Sequence, residues 1–368
     1  MHQVCRVDVV IVGAGIAGAI CAWRAARHGK SVALVHLSPR VHGGFGETVP
    51  PEIRPTLTAL HLWDTFESLS PRPCWSNSSA WGDERLRCWD YLCSPYGPAY
   101  QVSATRLADA LRREAMAAGA EVVEGSVRRT SPDGDDHLIA VAAPAGAMAI
   151  RSPLVVDASG RRAVVARQLG AKRVTFDRTT AVAAMIPQVH TQQDTTTLVE
   201  AAGKGWWYSI PTETGLAVIF ITDADLVDVP VAVLPDKWTA ALRATTHISA
   251  RVNKLDTASV PLSVTTASTS RLTQLNGAGW IAVGDAAATY DPLASTGILR
   301  AIRSGLSAAD LIGNTFTSDP SAIDAYVTTE LEAFHAHLED RRSYYRVERR
   351  WRSEPFWERR HAGTTVAA

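Results

Sequence analysis

The stretch from Val7 to His36, VDVVIVGAGIAGAICAWRAARHGKSVALVH, restricts what this chain can fold into more than any other. It reads as a buried strand, a glycine turn, an Ala-rich helix and a second buried strand, which is a βαβ unit with parallel strands. Gly13 permits the tight turn, Gly15 lets the backbone approach a pyrophosphate, and Gly18 lets helix and strand pack closely. The amides of Ile16 and Ala17, with the positive end of the helix dipole behind them, complete an anion-binding turn. Such folds place Asp or Glu at the end of the second strand to hold a ribose; here the position is His36, which can hydrogen-bond a hydroxyl but carries no fixed negative charge.

At 368 residues the chain exceeds the length of about 150 residues usual for one domain, so two interleaved domains around a large cofactor are expected. Lys+Arg 37 against Asp+Glu 37 gives net charge +0, which offers no overall basic field for nucleic acid or an anionic membrane. The five cysteines form no CxxC pair and match no His spacing, so neither a disulfide framework nor a metal site is expected. The apolar run Val9 to Trp23 follows Asp8, is punctuated by glycine and lacks a cleavage site after it; a cytoplasmic, soluble protein is the expectation.

Three later segments follow in order. QVSATRLADALRREAMAAGAEVVEGSV is a helix with Leu107, Leu111 and Ala115 on one stripe, then a strand; LVVDASGRRAVVARQLG is a strand ending in Asp-Ala-Ser-Gly-Arg; GWIAVGDAAATYDPLASTGILRAIRSG is a strand, a Gly-Asp pair and a helix. With the N-terminal motif, this order resembles the FAD-dependent monooxygenase and halogenase superfamily across nearly the whole chain. GETVPPEIRPTL, WWYSIPTETGLAVIFITDADL, GDAAATYDPLASTGI and YYRVERRWRSEPFWERR further resemble the tryptophan-oxidising flavoprotein monooxygenases, relatives of the flavin-dependent tryptophan halogenases.

The resemblance implies an α/β chain, α+β overall: a Rossmann-type FAD-binding domain with an inserted mixed or antiparallel substrate sheet and C-terminal helices. The expected boundaries are 1–72, 100–172 and 270–315 for the FAD domain, 73–99 and 173–269 for the substrate domain, and 316–368 for the helical end. It implies that Gly284 and Asp285 meet the ribityl chain, an acceptor-only carboxylate suiting hydroxyl donors, and that Arg106 lies near the phosphate or adenosine side. Val127 and Asp157 join the cofactor set. After Pro292, the step Ser295, Thr296, Gly297 and Ile298 opens the last helix toward the flavin pyrimidine edge.

Tryptophan halogenases carry a lysine that relays hypohalous acid, a glutamate before the Ser-Thr-Gly step, and a Trp-x-Trp-x-Ile-Pro segment. Here no lysine stands between Lys30 and Lys172, the glutamate position is Ala294, and the segment's second Trp is Tyr208. These losses favour hydroxylation of an electron-rich aromatic such as an indole, through a flavin C4a-hydroperoxide, over halogenation. A halogenase working without those residues and an FAD oxidase or dehydrogenase are the alternatives. Glu47, approached through glycines, and Asp291, before the proline turn, are the candidate ring-adjacent polar groups, with Tyr208 beside them. Trp75, Trp89, Trp206, Trp207 and Tyr208 are the candidate substrate rings, since aromatic faces hold a flat substrate by stacking and edge contacts.

O2 is the implied co-substrate, and NAD(P)H or a separate flavin reductase the implied reductant. The substrate is a free small molecule or an aromatic residue on a peptide or carrier. The basic run RRSYYRVERRWRSEPFWERR reads either as a solvated helix face or as a dock for an acidic partner.

Overall fold

The Val/Ile-rich runs of the first motif are buried on both faces, as strands in the middle of a parallel sheet must be. In the computed structural model, which describes residues 4–37, 46–187, 195–213, 215–227, 234–252, 260–314 and 320–362, they lie at the centre of a six-stranded sheet. Its order is Asn276–Gly277, Trp280–Ala282, Val155–Asp157, Val9–Val12, Val32–His36, Glu121–Glu124, with all pairs parallel except the first.

Alternation along the strands divides the residues between two cores. Val9, Ile11 and Leu34 pack with helices Ile16–Arg27, Ala104–Ala117 and Gly297–Asn314 on one side. Val10, Val12 and Val35 pack on the other against Ile139, Val141 and Ile150 of a four-stranded sheet and against Val165 of a short helix. The Ala104–Ala117 helix buries Leu107, Ala110, Leu111 and Ala115, the expected stripe.

A second, seven-stranded sheet runs Leu262–Thr266, Thr179–Ile186, Leu216–Asp223, Gly205–Pro211, Thr197–Ala202, Ser76–Ala80, Arg87–Asp90. It is antiparallel except where Thr197–Ala202 meets Ser76–Ala80. One face, with Val182, Trp207, Val218 and Phe220, packs on the helices Leu234–Arg243 and His247–Val252. The opposite face, with Ala181, Trp206 and Ile221, packs on Tyr345, Phe356 and Trp357 of the C-terminal helices Pro320–Val347 and Pro355–His361. The expected class therefore holds: a Rossmann-type sheet, a largely antiparallel second sheet and a helical end. Among the described residues no helix is long and apolar enough to cross a membrane.

Candidate active site

The parallel strands end together at Val12, His36, Asp157 and Ala282, and the turns that follow make the crevice where ligands of such sheets sit. Gly13 has φ +107°, and a Cβ there would lie 2.3 Å from the Ala158 carbonyl oxygen. A Cβ on Gly18 would lie 1.8 Å from the Gly13 carbonyl oxygen, whereas one on Gly15 would meet nothing within 4 Å. Two glycines thus let backbones touch, and the third leaves open space directly before a helix whose N-terminus has no side-chain cap. Uncapped amides facing open space fit a pyrophosphate, and the turn fits FAD on this count. His36 is half-buried at the strand end, and burial, then Arg112, holds its imidazole below its ordinary pKa and neutral.

The crevice continues through Gly284, whose Cβ would press on Ala17, to Asp285. Asp285 keeps about half of its side chain open, with Arg161 Nε 3.8 Å away, while Arg173 donates to its carbonyl at 3.1 Å. Burial nonetheless raises the Asp285 pKa. Glu47 behaves alike: its side chain is open to solvent, yet enclosure by protein, and then the Asp285 charge, pushes its pKa up to about 7. Both carboxylates are thus accessible at the surface and still crowded by neighbouring protein. Tyr208 stands beside them, its hydroxyl 3.4 Å from Thr48 Oγ1, and burial raises its pKa.

Beyond Asp285 the chain turns at Pro292–Ala294 and enters helix Gly297–Asn314 through Ser295, a non-glycine residue at φ +49°. Ala294 and Thr296 line a pocket of about 150 Å³ with Asp291, Arg300, His337 and Arg341.

Several expected site residues lie elsewhere. Asp157 is fully buried, and its oxygens accept from Ser159 N and Oγ and from the amides of Val165 and Ala166; it caps the next helix and has no face left for a cofactor. Asp291 is buried and bonded to Leu293 N, Arg341 and Tyr345, so it holds the turn rather than meeting a ring. Trp206 and Trp207 are 2% and 0% exposed: successive residues of a strand point to opposite faces, and each ring is consumed by a different core. Trp75 and Trp89 stand out in solvent, with Trp89 on the edge strand Arg87–Asp90. Of the expected substrate rings, Tyr208 is the one near Glu47, and it is partly buried against the core that holds Trp206. Arg106 is exposed and ion-paired with Glu213, and Val127 sits at a bulge, partly buried against the second core. Arg161, Arg173, His337, Arg341 and Tyr345 carry no short motif that marks them in the sequence; Arg341 and Tyr345 lie inside the basic run that reads as a solvated face or a dock.

A profile described as tryptophan halogenase matches residues 83–367, and one described as FAD binding domain matches residues 8–47. The chain belongs to the tryptophan halogenase family. Like others of this family it is an FAD-dependent oxidoreductase. It is 26% identical over 96% of its length to the putative FAD-dependent oxidoreductase LodB of Marinomonas mediterranea, covering 97% of that protein. It is 27% identical to the tryptophan 2-halogenase of Chondromyces crocatus over 82% of this chain and 60% of that one. Two solved structures share the fold. One is the myxobacterial chondrochloren halogenase CndH (TM-score 0.86, 20% identity, 97% of this chain, 86% of that one). The other is the peptidyl tryptophan dihydroxylase QhpG, essential for tryptophylquinone cofactor biogenesis (TM-score 0.80, 24% identity, 97% and 79%).

Proposed function

We propose that this halogenase-family chain is a monooxygenase that hydroxylates an electron-rich aromatic ring, an indole or tryptophan side chain, either free or carried on a peptide or protein. The observation that carries this is Ala294, which lines the pocket beside the Ser295–Gly297 step where the halogenating relatives implied by the sequence have glutamate. No lysine between Lys30 and Lys172 is available to relay an oxidised halogen. The near full-length likeness to LodB, a putative FAD-dependent oxidoreductase, supports the FAD-dependent redox chemistry in this reading.

Bound and reduced FAD supplies activated oxygen from O2; the electrons come from NAD(P)H directly or through a separate flavin reductase, in the cytoplasm. The residues of this chain do the rest. Gly13, Gly15 and the amides of Ile16 and Ala17 hold the pyrophosphate, Gly284 and Asp285 hold the ribityl hydroxyls, and the amides after Ser295 face the ring. Glu47, with a pKa of about 7, holds or releases a proton at its carboxyl near neutral pH, beside Tyr208.

The test is turnover of a tryptophan-containing peptide by the reduced, FAD-loaded protein under isotopically labelled O2, with bromide present. One labelled oxygen in the product is expected; a brominated product without label would replace this reading with halogenation, and loss of two hydrogens with no label would replace it with dehydrogenation.

A further inference from the structure

Between the Pro292–Ala294 turn and the second sheet runs a polar network almost closed to water. Asp291 accepts from Leu293 N at 3.0 Å on Oδ1, which caps the turn, and receives Arg341 Nε at 2.9 Å and Tyr345 OH at 3.0 Å on Oδ2. Tyr345 OH accepts in turn from Trp206 Nε1 at 3.0 Å, so one hydroxyl connects a sheet strand to the turn. Arg341 Nη2 reaches Asp177 Oδ2 at 3.0 Å, and Asp177 is tied to the amide of Thr179 at the start of strand Thr179–Ile186, two strands away in the same sheet. The Asp291 amide donates to His337 Nε2 at 3.1 Å. The side chains of Arg341 and Asp291 are 7% and 1% exposed.

A buried ion pair of this kind is poor evidence of added stability, since removing two charges from water offsets most of their attraction. It is good evidence of a fixed geometry, because each partner must find the other. Here the fixed element is a turn that must keep Ser295 at φ +49°, a conformation that persists only when its surroundings impose it. We propose that Arg341 and Tyr345 are positioning residues for the flavin. By holding Asp291 they set the geometry of the 292–297 turn, and so make flavin affinity and potential depend on how the C-terminal helix is seated. This rests on the reading that the turn faces the flavin ring. Burial keeps Tyr345 protonated, as a donor to Asp291.

The test uses the full chain loaded with FAD. Tyr345→Phe deletes both hydroxyl bonds and keeps the ring against Trp81 and Trp357; Arg341→Lys keeps the charge and loses the planar fork. Expected are folded proteins by far-UV circular dichroism, FAD Kd raised about tenfold, equivalent to about 1.4 kcal/mol, and a changed visible flavin dichroism and midpoint potential, with Arg341→Met shifted further than Arg341→Lys. Should Tyr345→Phe fail to fold, the Arg341→Lys protein gives the same readouts. Pro292→Gly loosens the turn itself while leaving Arg341 and Tyr345 unchanged, and is the control. A flavin altered by Pro292→Gly and indifferent to Tyr345→Phe and Arg341→Lys overturns the positioning role alone. Indifference to all three overturns the placement of the turn at the flavin, and the positioning role with it.

Discussion

Gly15→Ala and Gly18→Ala, three residues apart, should fail in opposite ways. Gly15 is the N-cap residue at φ −67°, ψ −178°, ordinary extended backbone, and its Cβ would meet nothing within 4 Å. Alanine is a poorer N-cap than glycine by up to about 1 kcal/mol, while the loss of unfolded-state freedom returns about 0.4–1 kcal/mol. The apoprotein should therefore melt within a few degrees of the parent. The methyl, however, takes the space into which a pyrophosphate oxygen must come, and overpacking of that sort costs about 1–3 kcal/mol, or roughly 5- to 150-fold in FAD Kd. Gly18→Ala drives a Cβ to 1.8 Å from the Gly13 oxygen. Strand and helix must separate, so about 3 kcal/mol or more of apoprotein stability should go, at the upper end of overpacking costs. Scanning fluorimetry of apoprotein and titration by flavin fluorescence quenching separate the two effects. Parental FAD affinity in Gly15→Ala, or an equal loss of apoprotein stability in both variants, would refute the assignment of this turn to the pyrophosphate.

Three further outcomes follow from the charges. Because the Glu47 pKa rises from 4.5 to about 7, the folded protein keeps a proton across that window that the unfolded chain releases, and stability falls as pH rises through it; in melts at about pH 5 and about pH 8, Glu47→Gln should gain on the parent at the higher pH, and a pH-independent difference would sink the assignment. His337 runs the other way: burial pushes its pKa from 6.5 down to about 4, so its stabilisation is complete above about pH 6.5 and is lost as pH falls toward 4, and His337→Gln should flatten the acid limb of a stability profile. Arg360, 4% exposed and 2.8 Å from Asp223, holds the last helix to the second sheet; Arg360→Met should cost about 3 kcal/mol, read as a lower urea midpoint at unchanged slope, and a loss below about 1 kcal/mol would mean that packing alone retains the tail.

What was legible in the sequence was whatever repeats with a backbone period or sits in a short contiguous motif. The βαβ unit announced itself because every determinant, from Val9 to His36, lies within one local stretch. The role of Asp157 was misread because its partners, Val165 and Ala166, are reached only when the chain bends back to be capped; a carboxylate after a strand looks the same whether it holds a sugar or an amide. Trp206 and Trp207 were misread through the strand period itself, which sends adjacent rings to opposite faces and leaves neither for a substrate. The inward pairing of part of the basic run at the end was not legible because charge in a sequence carries no direction. Arg341, Arg359 and Arg360 pair with Asp177, Asp291, Asp223 and Asp225, acids from 50 to 164 residues earlier in the chain, and a net charge of +0 conceals that match.

The inward turn of those arginines bears on the chemistry at position 294. Ala294, Arg300 and Arg341 line one pocket, and Asp291, three residues before Ala294, already takes the Arg341 guanidinium. A glutamate at 294 would bring a third carboxylate toward Asp291 and Asp340 in that pocket, with Arg341 spent on Asp177 and Asp291 and Arg300 held over Tyr290 and on Thr296; like charges at close range raise one another's pKa and oppose ionisation. Alanine leaves volume there instead of charge. Relaying an oxidised halogen needs a fixed polar group between flavin and ring, whereas direct oxygen transfer needs only close approach of the ring. Ala294→Glu alone is therefore expected to lower the proposed FAD-dependent hydroxylation without giving bromination, and any brominated product from that single change would show that the missing lysine is dispensable.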